Sequence, residues 1–289
     1  MKKSSIINLK SSIEIMRYAI CNETFEGWDH ERVCRFVAGL GYQGLEIAPF
    51  TLARSITDVS AVQRRQLRRQ AEEHGLTLLG LHWLLAKTEG LHLTSPDAAV
   101  RRKTADYLVA LARCCADLGG ELLVFGSPAQ RRIPAGTTRE QAVDHAVDTF
   151  TRARSGIADS GVKLCLEPLA APEADFINTC AEAVEILDRI NDPHFVLHQD
   201  VKAMSSEETP IPELIRRHAG RTGHFHANDL NRRGPGFGDV DFVPIFRALR
   251  ASGYAGWVSV EVFDYSPDPE TIARQSLRYL RECEARAMA

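Results

Sequence analysis

From about residue 17 onward the chain alternates between short apolar runs of strand length and longer stretches with helical apolar spacing, and it does so eight times. The runs lie at 17–21 (RYAIC), 43–48 (QGLEIA), 76–82 (LTLLGLH), 121–126 (ELLVFG), 162–167 (VKLCLE), 195–200 (FVLHQD), 223–228 (GHFHAN) and 257–262 (WVSVEV). A helix between each pair of strands returns the chain to the same end of the sheet, so the strands are expected to be parallel. Eight such units in about 270 residues are the size of a (β/α)8 TIM barrel. A single α/β domain is therefore expected over 16–289, preceded by a tail at 1–15, with Met16 a candidate second start. An open doubly wound sheet is the competing arrangement, but no G-x-G-x-x-G follows the first strand and there is no P-loop.

The helix boundaries carry their own signals. Ser60 with Gln63, and Thr179 with Glu182, have capping-box spacing. Ser95–Pro96 and Asp268–Pro269 read as an N-cap followed by proline at the first helical position. Gly75, Gly161 and Gly253 fall where helices end and positive φ is needed. The basic run RRQLRR at 64–69 lies in a helical pattern and reads as a solvated face.

A barrel of this kind places its chemistry where the strands end, at the C-terminal face. Strand five ends in Glu167, strand six in Asp200, strand seven carries His226, and strand eight ends in Glu261. Three carboxylates brought to one rim repel each other and are costly to desolvate, so they call for a counter-charge. One divalent cation supplies it, and oxygen donors with a single imidazole suit Mn²⁺ best, with Mg²⁺, Co²⁺ or Zn²⁺ as alternatives. His198 and His224 lie two residues before Asp200 and His226, one layer deeper, as core residues or partners that orient a ligand. His82 and Glu46, at the ends of strands three and two, are expected to face the mouth and touch substrate. Trp83, Phe25 and Trp28 are candidates for an apolar wall against a sugar ring or aglycone, and Asp239 and Asp241 for fixing a loop. Arg131 and Arg132 are either anion-binding or plain surface residues.

On these residues the chain resembles the sugar isomerase/epimerase superfamily with a xylose isomerase-like barrel, and is most similar to its ketose 3-epimerase (tagatose/psicose epimerase) branch. In that branch a Glu, Asp, His, Glu quartet binds one divalent metal and the two glutamates also move protons. The resemblance places this quartet at Glu167, Asp200, His226 and Glu261, spaced 33, 26 and 35 residues apart. It further implies substrate binding by Glu173 in LEPLAAPEADFINT and by Arg232 in HANDLNR. The Gly/Pro loop RGPGFGDVDF is also family-like, and the likeness extends over the chain from about residue 16. Two departures stand out. Ala203 occupies the place of a substrate-contacting histidine, and AND replaces the usual GE after the metal histidine, which points to a larger or differently shaped substrate.

The implied activity is a sugar isomerase or epimerase that works by proton transfer through a metal-stabilised enediolate, with Glu167 and Glu261 as the two bases. A metal-dependent lyase or dehydratase on a keto-sugar or keto-inositol, including C-glycoside cleavage, would use the same centre. A phosphodiester hydrolase like endonuclease IV would need histidines where Ala203 and Asp241 stand. A non-catalytic barrel would have no use for an intact quartet. Net charge of −3 and pI near 6.4 give no electrostatic case for nucleic acid or an anionic membrane. Seven cysteines without CxxC spacing and no signal-like or membrane-spanning apolar run fit a cytoplasmic protein with reduced thiols, one that could pair with copies of itself.

Overall fold

The computed structural model of the protein describes residues 16–289, and the expected tail at 1–15 lies outside the described residues. Eight parallel strands form a closed barrel in sequence order: β1 (Arg17–Cys21), β2 (Gly44–Ile47), β3 (Thr77–Leu81), β4 (Leu122–Phe125), β5 (Lys163–Leu166), β6 (Phe195–Asp200), β7 (Thr222–Ala227) and β8 (Trp257–Val260). Ala19 pairs with both Gly44 and Ser259, so β1 closes the ring between β2 and β8. The expected strands are all present. Their ends are trimmed or shifted by one or two residues, and Glu167 and Glu261 lie one residue past the last residue of β5 and β8.

The helices pack outside this barrel. They are α1 (His30–Leu40), α2 (Ala61–Glu73), α3 (Ala98–Asp117), α4 (Arg139–Asp159) and α5 (Cys180–Ile190). A four-residue turn, α6 (Val201–Met204), and α7 (Ile211–Arg217) follow β6, and α8 (Phe242–Ala251) and α9 (Pro269–Met288) complete the ring. Each buries one apolar stripe; α4, for example, turns Ala142, Ala146, Phe150, Ala153 and Ile157 inward. The main core lies between strands and helices, while a small inner cluster of Ala19, Leu79, Leu122, Val124 and Cys165 plugs the barrel. All seven cysteines are buried and unpaired. No helix among the described residues is long and apolar enough to cross a membrane.

Capping follows local chemistry. Ser60 and Gln63 form the full capping box of α2, and Asp268 caps α9 ahead of Pro269. The Thr179 hydroxyl accepts from the Glu182 N–H, but the Glu182 carboxylate turns to the N–H of Asn178, so the box is only half closed. The expected cap at Ser95 is displaced: Asp97 caps α3 through the Ala99 N–H, and the Ser95 hydroxyl instead accepts from Asp97 N. A carboxylate two residues further on competes successfully for the free amides. Gly75, Gly161 and Gly253 take positive φ as expected. Of the basic run on α2, Arg64 reaches Asp117, and Arg68 and Arg69 pair with Glu72 and Glu73 one turn on.

The β2–β3 and β6–β7 pairings each slip in register, between Leu45 and Glu46 and between Leu197 and His198. Such irregularities re-aim side chains and recur beside functional sites. At Gly80 in β3 an added Cβ would lie inside the Leu122 backbone carbonyl, which has no room to yield. Gly80→Ala is therefore expected to cost at least about 3 kcal/mol, read as a lower midpoint in urea denaturation with an unchanged slope.

Candidate metal and catalytic centre

The four strand tips β5–β8 deliver Glu167, Asp200, His226 and Glu261 to one buried point. Ligand atoms of Glu167, Asp200 and His226, together with His198, lie within 4.8 Å of one another. His226 Nδ1 is 3.1 Å from Glu261 Oε2, which brings the fourth side chain onto the same imidazole. All four residues are at most 6% exposed. Three carboxylates thus share a site that water hardly reaches.

Local contacts fix each member. Asp200 is the last residue of β6 and the N-cap of α6; its Oδ1 accepts from Ala203 N at 2.8 Å and its Oδ2 from Asn228 Nδ2 at 2.5 Å. Asn228, the middle residue of AND, also takes the Lys202 N–H on its Oδ1, so it locks the β6 and β7 loops together. Glu261 Oε1 accepts from the indole N–H of Trp83 at 2.8 Å. Gly126 clears the space for the Glu167 carboxylate, because an added Cβ would occupy the position of Oε2. Arg131 is completely buried and donates to the Glu167 backbone carbonyl at 2.6 Å. This decides against a surface arginine, while Arg132 is exposed and reaches the Glu173 carbonyl.

The electrostatics are those of a cation site. Burial pushes the Glu167 carboxyl well above the usual carboxylate range, and the charges of Glu261 and Asp200 push it further. Burial and the Glu261 charge raise Asp200 to about 6. Glu261 moves the other way: burial works against its charge, but His226, with help from His82 and the Trp83 N–H, holds it below the ordinary value. Among the side chains alone, the imidazole of His226 is the main counter-charge, held cationic against burial by Glu46 and Glu261. Buried oxygen donors, one imidazole and unrelieved carboxylate repulsion fit a hard-to-borderline divalent cation, which Glu167, Asp200, His226 and Glu261 would hold.

Glu46 and His82 are not used as the sequence suggested. Glu46 is fully buried inside the barrel, with Oε1 2.7 Å from His224 Nε2 and both oxygens 3.2 Å from His226 Nε2. Leu45 and Ile47 face the outer core, so alternation along β2 turns Glu46 into the barrel, one residue short of the strand end, toward the histidines rather than the mouth. A carboxylate on Nε2 fixes the tautomer that leaves Nδ1 as the ligand atom, the usual arrangement behind a metal-binding histidine. His82 is also fully buried, with its Nε2 2.6 Å from Glu23 Oε2. Glu23, just beyond β1, was not singled out by sequence; a lone glutamate in CNETF carries no motif, and only barrel closure brings it beside strand three. His224 partners Glu46, whereas His198 makes no hydrogen bond, lies with Nε2 4.0 Å from Glu167 Oε1 and packs edge-on against the His226 ring at 4.2 Å.

The remaining expected residues sit on the rim. Glu173 accepts from Lys202 Nζ at 2.5 Å, and that ammonium lies 4.7 Å from the Phe263 ring centre. Lys202 is next to Ala203, so a cation enters the mouth beside the position where the branch has a histidine. Arg232 is exposed at positive φ; its carbonyl accepts from Phe263 N and Asp264 N, tying the loops after β7 and β8 together. Asp241 caps α8, and buried Asp229, rather than exposed Asp239, folds the loop back by accepting from Leu230 N and Gly238 N.

Two outcomes follow for this centre. Glu46→Gln should weaken divalent-cation binding about 10- to 100-fold while the barrel stays folded, measured by titration calorimetry beside circular dichroism. Because burial and neighbouring carboxylates raise Asp200 to about 6 and push Glu167 above the usual carboxylate range, protons compete with the cation as pH falls. Cation affinity should then drop by at least about tenfold per pH unit below 6, and a pH-independent affinity would contradict the assignment.

Comparison with known proteins agrees with this geometry. A family model described as "Xylose isomerase-like TIM barrel" matches residues 34–283. A D-psicose 3-epimerase from Agrobacterium fabrum is 29% identical over 249 residues, covering 82% of each chain. A 3-dehydro-D-guloside 4-epimerase from Escherichia coli is 28% identical over 260 residues, covering 86% of this chain and 93% of that one. The crystal structure of D-psicose 3-epimerase with D-tagatose from Clostridium cellulolyticum H10 superposes with a TM-score of 0.80 at 24% identity, over 93% of this chain and 99% of that one. With its closed eight-stranded barrel and the match over residues 34–283, this chain belongs to the xylose isomerase-like TIM barrel family.

Proposed function

We propose that the protein is a divalent-cation-dependent epimerase of a ketose or keto-sugar, with Glu167 and Glu261 as its two proton-transfer groups and manganese as the preferred ion. The observation that carries this reading is the convergence of two glutamates, from the ends of β5 and β8, on one buried centre around His226. Two carboxyls on one centre allow one to give a proton while its partner accepts one. The epimerase relatives, two acting at different sugar carbons by name, support the same reaction class.

A divalent cation held by Glu167, Asp200, His226 and Glu261 would supply Lewis-acid polarisation of the substrate carbonyl, so that the neighbouring C–H is acidic enough for a carboxylate base. Glu261, the stronger acid of the pair, is ionised at neutral pH and takes the proton from that carbon, leaving an enediolate. Glu167 returns a proton to the same carbon from the other side, so the configuration inverts with no change in composition. Trp83 holds Glu261 in place, and Gly126 together with buried Arg131 sets the position of Glu167. Glu173, paired with Lys202, would accept a hydrogen bond from a substrate hydroxyl, and Arg232 would hold a substrate oxygen from the rim.

Glu167→Gln and Glu261→Gln should each lower kcat by at least about 10³. Near-normal turnover in either variant would overturn the two-base scheme. Incubation of the manganese-loaded enzyme with keto-sugars in D₂O should incorporate one deuterium at the inverted carbon. Loss of the mass of water instead would assign the site to a lyase.

A further inference from the structure

The metal cluster uses strands β5–β8, and the opposite half of the rim is hollow. A cavity of about 650 Å³ opens among the loops after β1, β2, β3 and β8, a volume in the range that encloses a drug-sized ligand. Glu167, Asp200 and His226 do not line it. Trp83 does, and the same indole donates to Glu261, so the cavity shares a wall with the reacting centre. Trp83 holds φ of 53°, a conformation that is strained for a bulky residue and is retained where a site requires it.

The lining is aromatic and charged: beside Glu23 it carries Glu26, Asp29, His30 and Lys87, and the Lys87 ammonium covers one face of the Phe50 ring at 4.1 Å. Phe50 stands edge-on to Trp83 with ring centres 6.2 Å apart, and Tyr265, 37% exposed, forms part of the opening. Among these aromatic faces lies Glu23, only 5% exposed, with Oε2 held by His82 and Oε1 buried without any hydrogen-bond partner. A buried carboxylate oxygen left unpaired is costly, so this one is set for a donor that comes with a ligand. Aromatic faces suit the C–H faces of a pyranose, and the free carboxylate oxygen suits one of its hydroxyls. A purely apolar ring would leave that oxygen unsatisfied.

We propose that this annex is a second sugar subsite: the substrate is a keto-glycoside whose reacting ring sits at the cation and whose second pyranose stacks on Phe50, Trp83 and Tyr265 while a hydroxyl donates to Glu23 Oε1. The proposal rests on the epimerase reading of the metal centre and names its substrate class.

The test uses unreactive ligands, so binding is read apart from catalysis. Tryptophan fluorescence of the manganese-loaded wild-type protein is titrated with methyl glucoside, phenyl glucoside and a glucosyl-glucose disaccharide. The disaccharide should bind at least about tenfold more tightly than methyl glucoside, the scale of one aromatic stacking contact with its hydrogen bond. Phe50→Ala and, independently, Tyr265→Ala should erase that preference and leave methyl glucoside affinity unchanged. Equal affinity for disaccharide and methyl glucoside, or phenyl glucoside binding as tightly as the disaccharide, would overturn the subsite. Absence of deuterium exchange with any keto-sugar would instead sink the epimerase reading while these binding ratios stood.

Discussion

Carboxylate repulsion in a nearly dry pocket governs this structure. Glu167, Asp200 and Glu261 are forced together because their strands are neighbours in a closed barrel, and nothing about burial favours their charge. The protein manages the strain with a chain of imidazoles and acids that reaches into the barrel: Glu261 to His226, His226 to Glu46, Glu46 to His224. Each link is buried, so each is worth more than it would be at the surface. The candidate cation site is the open end of that chain.

The same layout separates duties around the rim. The ends of β5 to β8 carry the quartet, while the loops after β1, β2, β3 and β8 offer aromatic walls, with Glu23 and His82 clustered against Glu261. Trp83 belongs to both, because its indole N–H touches Glu261 while its ring faces the cavity. A ligand spanning the two halves would therefore be felt by Glu261 through one side chain. Binding energy from a non-reacting ring can serve the chemistry in this way.

Loop departures gain a physical reading here. Asn228 in AND bonds both Asp200 and the Lys202 amide, which fixes the β6 loop from the side of β7. Asp229, in the following position, turns inward to organise its own loop instead of reaching substrate. With Ala203 adding no side chain to the mouth, Lys202 and Glu173 become the charged pair beside the centre.

Strand count, strand order and the quartet were legible in the sequence, because apolar period, spacing and residue type at strand ends are local properties. Glu167, Asp200, His226 and Glu261 each stood at a predicted strand tip, and closure of the barrel does bring those tips together. Depth in the barrel was not legible: Glu46, one residue short of the end of β2, became the support behind His226 rather than a rim carboxylate. Nor could composition show that Arg131 would be buried beside Glu167, or that Glu23 would meet His82 across 59 residues. The sequence by itself determined which groups reach the end of the barrel, since alternation along a strand is read residue by residue. Only the tertiary structure decided which of them face one another, because side-chain partnerships across a barrel depend on pairing register and on loops that no single segment specifies.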